Sequence, residues 1–517
     1  MQRNLASYEG VLGSLPDSGG RSGLRRGLLA AWALRVVFVG LLAALVLLPE
    51  PESGLFIYPR TTDMASLGVL GILFVLPFLG SGPRALLLTL DMTALASFVG
   101  VLALYEPSRP GVLALLYLPL AYLIARMLRI ARVGVRGWSA APAAGADAGI
   151  GGSDRPTPAR GGVHLALPSG WLALGAVVLV GLHVSWTLDS GTYSDVGYAS
   201  VHGALQVLDG KPLYGVDAKT LARVGYDPHF DTYGPVTYEA YIPFVGIAGV
   251  RDAAGRVTLL HTYQPFTRLS TARTAAQLGT LFFDLLTAAL LYALGRRMRG
   301  RGLGVALAYA WLAFPLALYD DVFAFNDSLV AATLAATLLV AANPVRRGIA
   351  AALAAWSKLS PLALVPLLAG HRPAGTSRAD GVRRFAGAFL LSTLVVFAPV
   401  LLTGAHGDIV QRTVRYQLDR GTNLSLWALA QQGVLGAGAT VRHLADAAHG
   451  LLLAMTGALA IALFWAPRRE DVVGLAGAAG AVMLGIAVTV SFFSFSYLVW
   501  LAPLVLAAAL PSALESA

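Results

Sequence analysis

The side chains able to do chemistry collect in a few polar stretches set between long apolar runs. With no cysteine among 517 residues, thiol nucleophiles, thiolate metal sites and disulfides are excluded. Carboxylates, His, Lys, Arg, Tyr and hydroxyls remain. "SDVGYASVHGALQVLDGKPLYG" (194–215) opens on an acid, Asp195, and carries Tyr198 and His202, while "HFDTYGPVTYEAYIPF" (229–244) places Tyr233 in a Tyr-Gly-Pro turn. "ALYDDVFAFNDSLV" (317–330) holds Asp320, Asp321, Asn326 and Asp327, and Lys358 interrupts an apolar segment between "GIAAALAAWSK" and "PLALVPLLAG". Finally, "GDIVQRTVRYQLDRGTNLSLWALAQQ" supplies Arg412, Arg415, Arg420 and Asn423. A carboxylate at an interface suits general-base chemistry. Arg412 and Arg415, three apart, can share a helix face and present planar forks to phosphate oxygens.

Each stretch also has a structural reading. Asp195, beside a helix start, can cap free N–H groups and meet the positive end of the dipole. The acids of 317–330 can be solvated at a helix end, with Asn326 or Asp327 as a cap; a divalent-cation site is the alternative, and adjacent acids signal one weakly. The arginines can attract anionic lipid headgroups. Asp284, Asp91 and Arg35 fall inside apolar runs, where pairing within a bundle is the ordinary outcome. No phosphate-binding glycine loop, dinucleotide fingerprint or HExxH zinc motif occurs. The sequence therefore gives no support to nucleotide-driven transport and no metal or cofactor assignment.

What positions these groups is a membrane-embedded scaffold. The chain is 56% hydrophobic, 13% charged, and has a mean hydropathy of +0.67, which makes it an all-α polytopic membrane protein. The net charge of +10 resides largely in arginines of short inter-span loops, a topology signal rather than a nucleic-acid surface. Apolar runs at 28–48, 65–80, 85–104, 111–128, 171–188, 274–295, 303–319, 328–342, 385–403, 447–465, 473–491 and 496–510 give about twelve spans. Arg21, Arg25 and Arg26 run straight into the first, so it is expected to be retained. Basic clusters after Arg126 and at 295–301 put both termini inside and leave 189–273 as one long external loop. The charges flanking 348–369 are both internal, so that segment is expected to be a re-entrant hairpin with Lys358 near its tip.

Three parts follow: an N-terminal four-span unit (1–131), a flexible Gly/Ala/Pro-rich cytoplasmic linker (132–168), and a module over 169–517. Within the loop, Tyr198, Val201, Leu205 and Leu208 make one apolar stripe, leaving Ser200, His202, Gln206 and Asp209 off it. Such a helix is expected to lie at the membrane surface with its stripe in the lipid boundary.

From Asp195 to Tyr214 the pattern "DVGYASVHGALQVLDGKPLY", then "TYGPVTYEAYIPF", "FNDSLVAATLAATLLVA", "GIAAALAAWSKLSPLALVPLL", "GTNLSLWAL" and "SFSYLVWLAPLVL", resembles the GT-C glycosyltransferases. The likeness is to the branch of polyprenyl-phosphomannose-dependent alpha-mannosyltransferases; Gly234 stands where that branch more often has Pro. It runs in order over about 171–510. It implies a GT-C-like fold in the plasma (inner) membrane, with the site on the non-cytoplasmic face. The implied donor is a polyprenyl-phosphate sugar (mannose, with arabinose an alternative), and the implied acceptor a glycolipid or cell-envelope glycan. No cofactor is implied. Asp195 takes the place of the catalytic base in an inverting reaction, with Asp189 and Asp231 as rivals. Arg412, Arg415 and Lys358 are the candidates for donor phosphate; Tyr198, His202, Tyr233, Asn326, Asp327 and Asn423 complete the expected substrate surface. A transporter or flippase of a lipid-linked sugar is the alternative, with Asp284 and Lys358 as pathway residues.

Overall fold

The computed structural model describes residues 19–47, 61–80, 82–105, 109–135, 166–190, 194–215, 229, 231–249, 271–372, 377–404, 408–421, 423–436 and 438–513. Most of the 132–168 linker, and residues 191–193, 216–228, 230 and 250–270 of the expected external loop, lie outside the described residues. Every regular element described is helical, in the order α1 (Gly19–Leu47), α2 (Thr61–Val75), α3 (Pro83–Leu104), α4 (Tyr117–Ala131), α5 (Ser169–Asp189), α6 (Asp195–Leu208) and α7 (Pro235–Ala248). There follow α8 (Thr271–Arg299), α9 (Arg301–Leu312), α10 (Pro315–Val322), α11 (Asp327–Leu339), α12 (Pro344–Ser357) and α13 (Val365–Ala369). The chain ends with α14 (Arg378–Leu402), α15 (Tyr416–Asp419), α16 (Leu426–Gln431), α17 (Ala439–Ala462), α18 (Val472–Thr489) and α19 (Tyr497–Ala513).

Eight stretches, namely Leu29–Leu47, Pro83–Leu104, Pro110–Ala131, Ser169–Asp189, Thr271–Arg299, Arg378–Leu402, Ala439–Ala462 and Val472–Thr489, are long and apolar enough to cross a bilayer. A ninth forms if α9 and α10 count as one span bent by 52° at Pro315, which cannot continue the hydrogen-bond ladder of α9. The other three expected spans are helical over Ala65–Phe78, Asp327–Leu339 and Tyr497–Ala513, and fall short of crossing length. The protein is thus an all-helical, multi-pass membrane protein. One apolar core runs through both the 1–131 and the 169–517 parts. Their contact is close because Gly477 on α18 has no side chain: a Cβ there would lie 2.9 Å from the Met127 carbonyl on α4.

Helix α6 corrects the surface-helix expectation. Tyr198, Val201 and Leu205 are buried with Tyr241, Phe244 and Phe283 of α7 and α8, so the stripe is spent on protein rather than lipid; Leu208 alone of the four is exposed. The approach of α7 depends on Gly203, where a Cβ would sit 2.0 Å from the Tyr238 ring. Periodicity shows that a stripe must be covered, and cannot say by what.

Helix α12 stops at Ser357, and Lys358 is extended (φ −137°, ψ 148°). A 3-10 turn at Ser360–Leu364 and α13 then carry the chain back. Arg347, in the first turn of α12, donates to the carbonyls of Leu368 (2.9 Å) and His371 (3.0 Å), so the end of this segment returns beside its start. Lys358 sits at the break between the two halves.

Candidate functional site

The site is best built outward from Lys358, which is 8% exposed. Its Nζ donates to Asp327 Oδ1 at 2.5 Å, and the indole N–H of Trp500 on α19 donates to the same oxygen. The ammonium also lies over three rings: Trp500 (5.1 Å), Tyr233 (5.3 Å) and Tyr497 (5.9 Å). Cation–π attraction is strongest for Trp and grows on desolvation, so this cage holds a lysine charge well. Tyr233 arrives because the turn before α7 docks on the break: Gly234 N–H and the Thr237 hydroxyl both donate to Ser357 O, at 3.3 and 2.7 Å. Gly234 is required for this approach, since a Cβ would lie 2.0 Å from the Trp356 carbonyl. That explains why this turn reads Tyr-Gly-Pro.

Asp195 is the first residue of α6 and only partly buried. Capping is done mainly by its neighbour: Ser194 is the N-cap and accepts from Gly197 N–H at 2.9 Å, whereas Asp195 Oδ1 accepts from Val196 N–H. The carboxylate lies within electrostatic reach of Tyr233, Arg420 and Tyr497. The Arg420 guanidinium stacks on Phe492, 3.5 Å from the ring centroid, and hydrogen-bonds Tyr497. Burial opposes its charge, but the hydroxyls of Tyr497, Tyr416 and Tyr233 and the Asp195 carboxylate more than offset this, so its pKa rises. Burial, reinforced by Asp195, pushes the Tyr233 pKa well above the ordinary tyrosine value and keeps it a hydroxyl donor. Asn423 contributes through its backbone, bonding Ser491 O (3.1 Å) and Phe493 N–H (2.9 Å) to fix the segment that carries Phe492 and Tyr497.

Thus Asp195, Tyr233, Asp327, Lys358 and the Asn423 backbone come together, and Arg420, Tyr497 and Trp500 join them. The other expected residues stand apart. Arg412 faces Asp231 (3.6 Å), which also accepts from Gly215 N–H (2.7 Å), so this pair staples two loop segments. Arg415 is exposed and reaches Gln411 at 3.5 Å. Tyr198 is fully buried under α7; His202 stacks on it and bonds Gln206. Burial, with Lys211 adding to it, lowers the His202 pKa to about 4, which makes it a neutral ring. Asn326 is buried and donates to Ser200 Oγ at 3.0 Å, tying α11 to α6. Of the rival acids, Asp231 is committed to its staple and Asp189 is exposed at the end of α5.

The acids of 317–330 are not a solvated edge, because all are buried. Nor do they make one site. Asp320 Oδ2 accepts from Ser328 N–H (3.0 Å) and so serves α11 in place of an Asn326 or Asp327 cap, Asp327 takes Lys358, and Asp321 turns to His183 and Asp284. Asp91 pairs with Arg126 (3.0 Å) and Tyr122 (2.8 Å) inside the N-terminal part. Helix spacing rewards pairs, so the sequence points to Arg412 and Arg415 rather than to Arg420. A signal for Tyr497 and Trp500 was present: two aromatics three apart at the head of an apolar helix, next to the polar run "SFFSFS". Among known proteins, no family model matches the chain, and no curated sequence does either.

Proposed function

We propose that the protein is a GT-C-like membrane glycosyltransferase that moves a sugar from a polyprenyl-phosphate donor to a glycolipid or glycan acceptor at the non-cytoplasmic face of the plasma membrane. In this reading the short helices α2, α11 and α19 complete a set of twelve spans, aided by neighbours that cover their ends. The observation that carries it is the gathering of a partly open carboxylate, Asp195, with Arg420, Tyr233 and Tyr497 from three separate parts of the chain. The opposite end of α8 from Gln277, which anchors the Ser190 carbonyl beside the site, carries Arg296, Arg297 and Arg299. By the positive-inside trend this supports an external position for the cluster.

Chemically, Asp195 removes the proton of the acceptor hydroxyl as its oxygen attacks the anomeric carbon, and the sugar–phosphate bond breaks with its electron pair on the lipid phosphate. Attack from the face opposite the leaving group inverts the anomeric centre. Arg420 replaces Arg412 and Arg415 as the group that meets the phosphate: its guanidinium, held over Phe492, offers several N–H donors to the oxygen that gains charge. Lys358, already paired with Asp327, positions Tyr233 and Tyr497 through its aromatic cage rather than binding phosphate. The test is transfer of labelled polyprenyl-phosphomannose and, separately, polyprenyl-phosphoarabinose in membranes containing the native chain or Asp195→Asn. Transfer by the native chain, reduced by about 10²–10⁴-fold in D195N at equal protein level, is expected. Full activity in D195N removes the assignment. Transfer from neither donor favours the transporter reading.

A further inference from the structure

A second polar cluster lies in the helix interior, away from the residues assigned above. His183 of α5, Asp284 of α8 and Asp321 of α10 are each fully buried. His183 Nε2 lies 2.9 Å from the Leu312 carbonyl at the last residue of α9, a contact that needs a proton on Nε2. A neutral ring then has a lone pair on Nδ1. That nitrogen points at two carboxylate oxygens, Asp321 Oδ2 at 2.8 Å and Asp284 Oδ2 at 3.2 Å. Three electron-rich atoms therefore converge within 4.8 Å of one another.

The cluster needs positive charge, either protons on the ring and one carboxyl or a metal ion. A second ring proton would serve Asp321, but unless one carboxyl is protonated as well it leaves two carboxylates against one imidazolium, a net negative charge in a fully buried place. It also leaves Asp321 Oδ1 with no hydrogen bond among the described residues, while Asp284 Oδ2 must share the one Nδ1 proton at 3.2 Å. A divalent cation balances both carboxylates and uses the Nδ1 lone pair. The surroundings match what metal ligands need around them: Leu312 O holds the His183 ring, and the Trp311 indole N–H donates to the other Asp284 oxygen, Oδ1, at 2.8 Å. Thr187, four residues after His183 and so on the same face of α5, adds a buried hydroxyl oxygen that has no hydrogen bond among the described residues.

We propose that His183, Asp284 and Asp321 form a binding site for a divalent transition cation. One imidazole and two carboxylates in a closed site fit Zn²⁺ best, with Mn²⁺ next. The ion would clamp α5, α8 and α10 together at the Pro315 bend, one residue from Asp320, which supports the start of α11 and hence Asp327. It is a structural site, independent of the transferase reading.

The test is metal content. The full-length chain is purified in neutral detergent, without chelator and without a polyhistidine tag, from cells supplied with zinc, manganese and iron, and its metals are counted by mass spectrometry. About one equivalent of a single divalent metal per chain is expected, falling at least ~10-fold in monodisperse His183→Gln and Asp321→Asn. A native chain that holds less than about 0.1 equivalent overturns the proposal and assigns the triad to an imidazolium. Equal metal in native and variant protein overturns it too, because the ion is then elsewhere. Should neither variant fold, X-ray absorption of the native protein decides: an imidazole-plus-oxygen shell supports the site, and a shell without imidazole rejects it.

Discussion

Removing the Lys358 ammonium is the perturbation with the most definite consequence. In Lys358→Met the stem survives and the charge is lost, so Asp327, fully buried, keeps the Trp500 N–H on Oδ1 and has no hydrogen bond on Oδ2 among the described residues. Breaking a buried ion pair from one side costs ~3–5 kcal/mol, since the remaining charge is stranded. The reverse change, Asp327→Asn, should cost less. It leaves the ammonium over three aromatic faces at 5.1–5.9 Å, which retain roughly 1–2 kcal/mol of cation attraction. The double variant K358M/D327N strands neither charge and should lie above K358M in stability. The assay is reversible unfolding in mixed micelles followed by tryptophan fluorescence, with the four proteins forming a cycle. A coupling of about 2–4 kcal/mol is expected. If K358M unfolds within about 1 kcal/mol of native, or if D327N is the more damaging single change, the caged-lysine account fails.

Three further outcomes follow from the geometry. Gly234→Ala should cost ~1–3 kcal/mol and reduce transfer, because its Cβ overlaps the Trp356 carbonyl and pushes Tyr233 off Lys358; unchanged stability would refute the docking role. Arg420→Gln should lower transfer by about 10²–10³-fold while Arg415→Gln stays within about twofold, a contrast that reads out which arginine meets the phosphate. His202 has its pKa lowered from 6.5 to about 4 by burial, so its neutral form contributes stability above pH 6.5 that is lost as pH falls through 4. Melting curves between those values should show a shallower acid decline for His202→Gln, and parallel curves would contradict the burial of that ring.

The sequence by itself determined the solvent and the class of secondary structure. Runs of about 20 apolar residues have one stable form in lipid, the helix, and the interruption at Lys358 and Pro361 marked a real departure from it, whereas the bend at Pro315 within the expected span 303–319 emerged only in the structure. It also determined which residues could carry charge into the bundle, among them Asp195, Lys358, Asp284 and Asp91. Which partners those charges took was decided only in three dimensions. Lys358 meets Asp327 across 31 positions, and His183 meets Asp321 across 138. Helical periodicity reports neighbours three or four residues away and is silent on pairings made when helices cross. The same limit explains why the α6 stripe looked like a lipid-facing surface. Amphipathicity fixes that a face must leave water, and the tertiary packing of Tyr238, Tyr241 and Phe244 decided that protein covers it.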